Sequence, residues 1–351
     1  MVCFFLFSMI NFNDVFEKVG TIRLDSVDYS FCNQFYVNRL FVWKDYLYFS
    51  TGLGGLWKYD KKTGSLIEAS VLKKGQAPEE IHTYIRGIDT FGDFVRIIEN
   101  APARAIEYRL TKDGNLVYKN SFLASPGYCE GIGHSTDGKY ILNVNTWDYN
   151  YRKKIPVYNN MVLRIYNEEG KLLKEFYKPP KKMAYYHWVW GEIIEFSVFN
   201  DTVWVIPKFM NQIEIYTMDG KHVKRVKFNS HYFTSPKRPY RNPYKLGKER
   251  EKHTEYKEKW LSECTALSSI ITDNRGLRFL VYLWGYGNKP KRFFIIIMDK
   301  NAHVLAEVPV DFRLLGCDEK NNFYFLEVDE EASNDFLIGI YKLKNNIFGT
   351  N

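Results

Sequence analysis

One unit recurs along the chain and constrains its fold more than any other feature: an apolar alternating strand ending in Tyr or an equivalent, a polar turn, then a second strand. It reads LWKYDKKTGSLIEASV, AIEYRLTKDGNLVYKNSF, VLRIYNEEGKLLKEFY, IEIYTMDGKHVKRVKF and FIIIMDKNAHVLAEVPV, and a sixth copy, IGIYKLKNN, stops after its first strand. Apolar residues that alternate with period two belong to strands, which excludes an α-solenoid. Thr63-Gly64, Asp113-Gly114, Glu169-Gly170 and Asp219-Gly220 supply the positive φ that tight hairpins need, and Asn301-Ala302 is a weaker version of the same signal.

A further pair of strands precedes each hairpin, as in RLFVWKDYLYFS, RGIDTFGDFVRII and EGIGHSTDGKYILNV. Four antiparallel strands recurring at roughly 40 to 50 residues make a propeller blade. Six such units predict an all-β, six-bladed β-propeller with four-stranded antiparallel blades. The sixth blade lacks its outer strand, while VGTIRLD, residues 19–25, is an orphan at the other end of the chain. Pairing the two closes the ring and removes the edges an open array would leave. The expected organisation is an apolar segment at 1–18, either the remnant of a signal or a packed tail, then one propeller domain at 19–346 and a tail at 347–351. A helical insertion is expected at 229–262, between blades four and five.

The chain resembles the six-bladed propellers of the TolB-like and NHL-like kind. KKGQAPEEI is similar to the Gly-x-Gly-Pro-x-Glu loop of exported bacterial propellers, matching at Gly75, Pro78 and Glu80 with Ala77 in place of the second glycine. The resemblance implies export to the periplasm or cell envelope. MVCFFLFSMINF, however, lacks the basic start and small-residue cleavage site of a complete signal and is too short to span a bilayer.

With strands labelled A to D from the axis outward, A–B and C–D turns share one end of the propeller, and B–C and D–A loops share the other. Every long insertion falls at the second end: 73–84, 146–160, 178–190, 229–262 and 285–292. Insertions gathered on one face mark a binding face. Residues 235–260 carry nine Lys or Arg against four Glu, a large part of the net charge of +8. This charge favours an anionic partner and falls short of a nucleic-acid signature. Leu246, His253, Tyr256, Trp260 and Leu261 form one helical stripe that should pack on the propeller.

Two aromatic loops should lie side by side on that face. Trp147, Tyr149 and Tyr151 precede Arg152 and Lys153 in one; Tyr185, Tyr186 and His187 stand in the other, with Trp188 and Trp190 as inter-blade core. Aromatic platforms beside cations suit a carbohydrate or protein ligand without any cofactor. Acids recur near the entry of the inner strands at Glu80, Glu130, Glu192, Glu263 and Asp311. Of these, Glu130, Glu192 and Glu263 are the candidate ligands of a calcium ion. His82, His134 and His187 form no catalytic spacing with a nucleophile, and the five cysteines contain no C-x-x-C pair, which argues against a zinc site. The reading is a non-enzymatic binding module; the alternative is a calcium-dependent hydrolase or lyase of the lactonase type.

Overall fold

The computed structural model describes residues 10–25, 40–50, 55–99, 103–125, 128–145, 148–150, 155–157, 162–180, 183, 194–237, 259–284, 292–328, 336–344 and 347–348. Among them are six four-stranded antiparallel sheets and one two-stranded hairpin. Inside five of the sheets the strands lie in chain order, and in the sixth three consecutive strands are joined by the first strand of the chain, so each sheet is a blade. The inner strands, Leu40–Trp43, Ile85–Phe91, Tyr128–His134, Ile194–Phe199, Thr265–Thr272 and Arg313–Cys317, begin blades 1 to 6.

Blade 6 is completed from the other end of the chain. Phe16–Leu24 pairs antiparallel with Phe336–Leu343, placing Phe16 opposite Leu343 and Leu24 opposite Phe336. This strand starts at Phe16, earlier than the expected Val19, because a helical turn, Phe12–Val15, feeds directly into it. The Phe12 ring packs 5.3 Å from Phe325 and 5.0 Å from Tyr341, and the Lys344 amide donates to the Val15 carbonyl at 2.9 Å. Burying these rings fixes the closing strand beyond what its ladder alone supplies.

The core is divided among the seams between adjacent blades. In strand Arg278–Trp284 of blade 5, Phe279 and Val281 join the cluster shared with blade 6, whereas Leu280 and Tyr282 join the one shared with blade 4. A period of two thus distributes one strand between two seams, which is why nearly all of its residues are apolar. Of the insertion expected at 229–262, the described part is 229–237 and 259–262, the latter helical.

Seven of the A–B and C–D connections share one device. Thr111, Ser135, Asn167, Thr217, Asp273, Asp299 and Asp318 each open a turn by accepting, on the backbone carbonyl, the amide three positions on. Each also accepts, on its side-chain oxygen, the amide four positions on. Five residues are enough to satisfy these backbone groups, so this end of the propeller is covered by short turns. The fourth position takes positive φ: Gly220 at 72°, and, in the two turns that lack glycine, Ala302 at 68° and Asn321 at 57°.

Candidate functional site

At the opposite end, the connection between blades 1 and 2 is braced from beneath. Glu99 closes strand Phe94–Glu99, and Arg104 lies one residue into strand Ala103–Leu110; both are buried and paired at 2.6 Å. The other oxygen of Glu99 accepts the amides of His82 at 2.7 Å and Thr83 at 3.2 Å. Arg104 also donates to the carbonyls of Pro78 and Glu80, and Tyr108 donates to that of Glu79 at 2.7 Å. Glu80 turns back to accept the Ala77 amide at 2.9 Å, and its carboxylate lies where a Cβ on residue 75 would stand. Gly75, Pro78 and Glu80 therefore shape a rigid loop, and Glu80 is an internal cap.

The mouth of the axial channel at this end is set by the first residues of the inner strands. In blades 2, 3, 5 and 6 the A–B ladder slips by one residue at the same place, leaving Arg86, Glu130, Ser268 and Leu315 as the extra residue. Such bulges re-aim the extra side chain. Glu130 is half-buried on its bulge, and Gly131 after it leaves room for the Phe196 ring of blade 4, which would stand 3.1 Å from an added Cβ. Next in the ring, Glu195 pairs with the buried Lys208 at 3.0 Å, while the Lys208 carbonyl accepts the Leu267 amide of blade 5 at 2.9 Å. These contacts tie blades 3, 4 and 5 together beside the axis.

The expected metal ligands are placed differently from one another. Glu263 is exposed, 3.6 Å from Lys237, and Glu192 lies outside the described residues. Among the described residues no group of three or more His, Cys, Asp or Glu is arranged to hold a metal ion. Asp311 is exposed.

Of the aromatic and basic platform, Tyr149 lies on the hairpin of Asp148–Asn150 with Ile155–Val157, opposite Pro156. Trp147, Tyr151, Arg152, Lys153, Tyr185, Tyr186 and His187, with Trp188 and Trp190, lie outside the described residues. The described residues at this end form an apolar cluster. Met183 and Tyr177 are buried with Phe209, and the end of the insertion docks Trp260 and Leu261 into the same cluster. Trp260 packs 5.5 Å from the Phe209 ring and donates its Nε1 hydrogen to the Lys237 carbonyl at 2.7 Å. The start of the insertion is pinned as well: Glu307 of blade 5 accepts the His231 amide at 2.8 Å and the Tyr232 amide at 3.3 Å.

His134 belongs to the other end. It closes strand Tyr128–His134, where its Nδ1 is bonded to Asp89 of blade 2 and its ring lies 4.4 Å from Phe91. Burial pushes the thiols of Cys129, Cys264 and Cys317 up to about 12, so they are neutral near pH 7 and poor nucleophiles. Reasoning from sequence passed over the Glu99–Arg104 brace, although an acid and a base flank the short connection in IIENAPARA. It also passed over the bulges, although Gly87, Gly131 and Gly316 directly follow the extra residue in three of them.

No family model and no curated protein sequence matches the chain. Solved structures of the same fold do. One is a member of the DUF4221 family from Bacteroides vulgatus ATCC 8482, with a TM-score of 0.63 and 13% identity over 94% of this chain and 99% of that one. Another is a predicted exported protein from Bacteroides fragilis NCTC 9343, with a TM-score of 0.61 and 14% identity over 96% of this chain and 98% of that one. No helix among the described residues is long and apolar enough to cross a membrane. At these identities the likeness is one of fold: the chain is similar to these proteins as a complete six-bladed propeller.

Proposed function

We propose that the protein is a binding module that takes an anionic carbohydrate or protein ligand on its loop-rich end. The asymmetry of the two ends carries this reading. One end is covered by turns whose polar groups are satisfied within five residues, whereas the other bears the long connections on braced supports: the Glu99–Arg104 pair, the Trp260–Phe209 contact and the Glu307 anchor. Rigid supports under variable loops suit recognition, because less ordering entropy is lost on binding. The basic run at 235–260 selects for negative charge. Export to the cell envelope, with a place among TolB-like and NHL-like propellers, belongs to the same reading. It is supported by the partial Gly75-Pro78-Glu80 loop and by the exported name of one structural neighbour.

A glycan and acidic-peptide array tests the proposal. Binding that falls at least tenfold in Trp147→Ala, Tyr186→Ala and the pair Arg152→Glu with Lys153→Glu is the expected result. Unchanged binding in all three would remove these residues as contacts. The alternative, a calcium-dependent hydrolase, draws on Glu130 at its bulge beside the axis. Calorimetric titration with calcium tests it, and heat that is absent in the wild type or unaltered in Glu130→Gln would eliminate it.

A further inference from the structure

The seam between blades 4 and 5 holds a cation with no counter-charge among the described residues. Arg278, the first residue of strand Arg278–Trp284, is 1% exposed, and its guanidinium lies over the Trp204 ring, with Cζ 3.9 Å from the ring centroid. Trp204 is fully buried. Among the described residues neither Arg278 Nε nor Trp204 Nε1 has a hydrogen-bond partner. Both groups are donors only, so neither satisfies the other. The nearby turn carboxylates are committed elsewhere: Asp273 accepts from Arg275 and the Leu277 amide, and Asp299 from His303 and the Asn301 amide. Directly across the strand from Arg278 stands Met298, fully buried and apolar.

The same molecule shows what a buried guanidinium demands. Arg96 of blade 2 is also buried against an aromatic ring, Tyr140 of blade 3, with Cζ 4.0 Å from its centroid. Directly across the strand from Arg96 stands Glu107, whose carboxylate accepts its Nε at 2.7 Å. Stacked arginine and aromatic ring recur in the second seam; the anion does not. Burial pushes the Arg278 guanidinium down only to about 9, so it keeps its charge near pH 7.

We propose that the seam between blades 4 and 5 binds a small monovalent anion, chloride in ordinary salt, which accepts from Arg278 Nε and Trp204 Nε1. Because the guanidinium lies against the ring, with Cζ 3.9 Å from its centroid, one compact acceptor beside the pair would serve both donors. An anion, rather than water, suits a site of donors around a full positive charge, since water would bring dipoles but no compensating charge. Ile206, Ile215, Leu280 and Ile296 belong to the same apolar cluster as Trp204, and their side chains offer neither donor an acceptor.

Thermal melts at constant ionic strength, with gluconate replaced stepwise by chloride, test this. A ligand that binds only the folded state raises Tm with its concentration. The wild type should gain a few degrees, and Arg278→Met should show no dependence on chloride. Met298→Glu, which supplies the carboxylate at the position that Glu107 occupies in blade 2, should likewise lose the dependence. Crystals soaked in bromide should give an anomalous peak beside Arg278 and Trp204, a readout that needs no variant. Equal chloride dependence in wild type and Arg278→Met, or a bromide map without that peak, overturns the proposal.

Discussion

In blade 2 the residue across the sheet from a buried arginine is Glu107; in blade 5 it is Met298. Around Glu107 the structure builds a complete network: Arg96 at 2.7 Å, the Tyr140 hydroxyl of blade 3 at 2.8 Å and Lys119 at 3.1 Å. Among the described residues Arg278 meets only the Trp204 face and, more distantly, the Phe199 ring, both of blade 4, the second with Cζ 5.9 Å from its centroid. Both seams bury a similar guanidinium, so the difference isolates the contribution of the carboxylate. A buried charge with its partner is close to neutral in energy, whereas one without is costly and must recruit a partner or destabilise its seam.

Glu107→Met gives blade 2 the arrangement of blade 5 and should have the largest effect. Removing one member of a buried pair costs about 3–5 kcal/mol. Urea denaturation should show that loss, and the variant should acquire a chloride dependence that wild-type blade 2 lacks; undiminished stability would break the comparison. Acid sharpens it further. Burial alone would raise the Glu107 carboxyl, but hydrogen bonds from Arg96, Tyr140 and Lys119 outweigh it and hold the group below its ordinary value of 4.5. A carboxyl lowered on folding stabilises fully above its unfolded pKa, and the gain is lost as pH falls through the folded value. Below about pH 4.5 the wild type should therefore lose stability more steeply than Glu107→Gln.

Arg278→Met approaches the same question from the other seam, with the opposite sign. Replacing a buried charge by an apolar side chain of similar length should stabilise by about 1–4 kcal/mol at low chloride. The gain should shrink as chloride rises, because the wild type then gains its own ligand. A loss of stability at every chloride concentration, measured by the same denaturation, would mean that the stacking on Trp204 outweighs the desolvation of the charge.

Neither seam could be read from the chain before the fold was known, although the propeller could. Apolar alternation and Asp-Gly turns are local, which is why the blades and the strand that closes blade 6 were legible in the sequence. The Arg96–Glu107 pairing needs the strand register, and Tyr140 arrives from another blade. The candidate site divides in the same way. Entry positions such as Glu130 follow from the repeat, but its bulge depends on a one-residue slip that alternation alone does not show. Glu263 was legible as an acid near an inner strand, whereas its neighbour Lys237 reaches it from the start of the insertion. Conversely, Trp260 and Leu261 were legible as a buried stripe because helical spacing is local as well.

Blades 2 and 5 also differ at their outer turns. Both turns need positive φ at the fourth position, which Gly114 meets at 70° and Ala302 at 68°. Left-handed backbone costs a residue with a Cβ roughly 1–2 kcal/mol. In blade 5 part of that cost is returned, because the Ala302 methyl is buried in the seam with blade 4, and one buried methyl contributes about 0.8 kcal/mol. Ala302→Gly should therefore change stability by less than about 1 kcal/mol. In blade 2 no such return is open: a Cβ at residue 114 would stand 2.5 Å from the Tyr48 hydroxyl oxygen and from the Tyr46 ring. Overpacking adds about 1–3 kcal/mol to the backbone strain, so Gly114→Ala should be clearly the more destabilising of the two. Equal shifts in the two urea midpoints would mean that the seam, and not the turn, absorbs the added methyl.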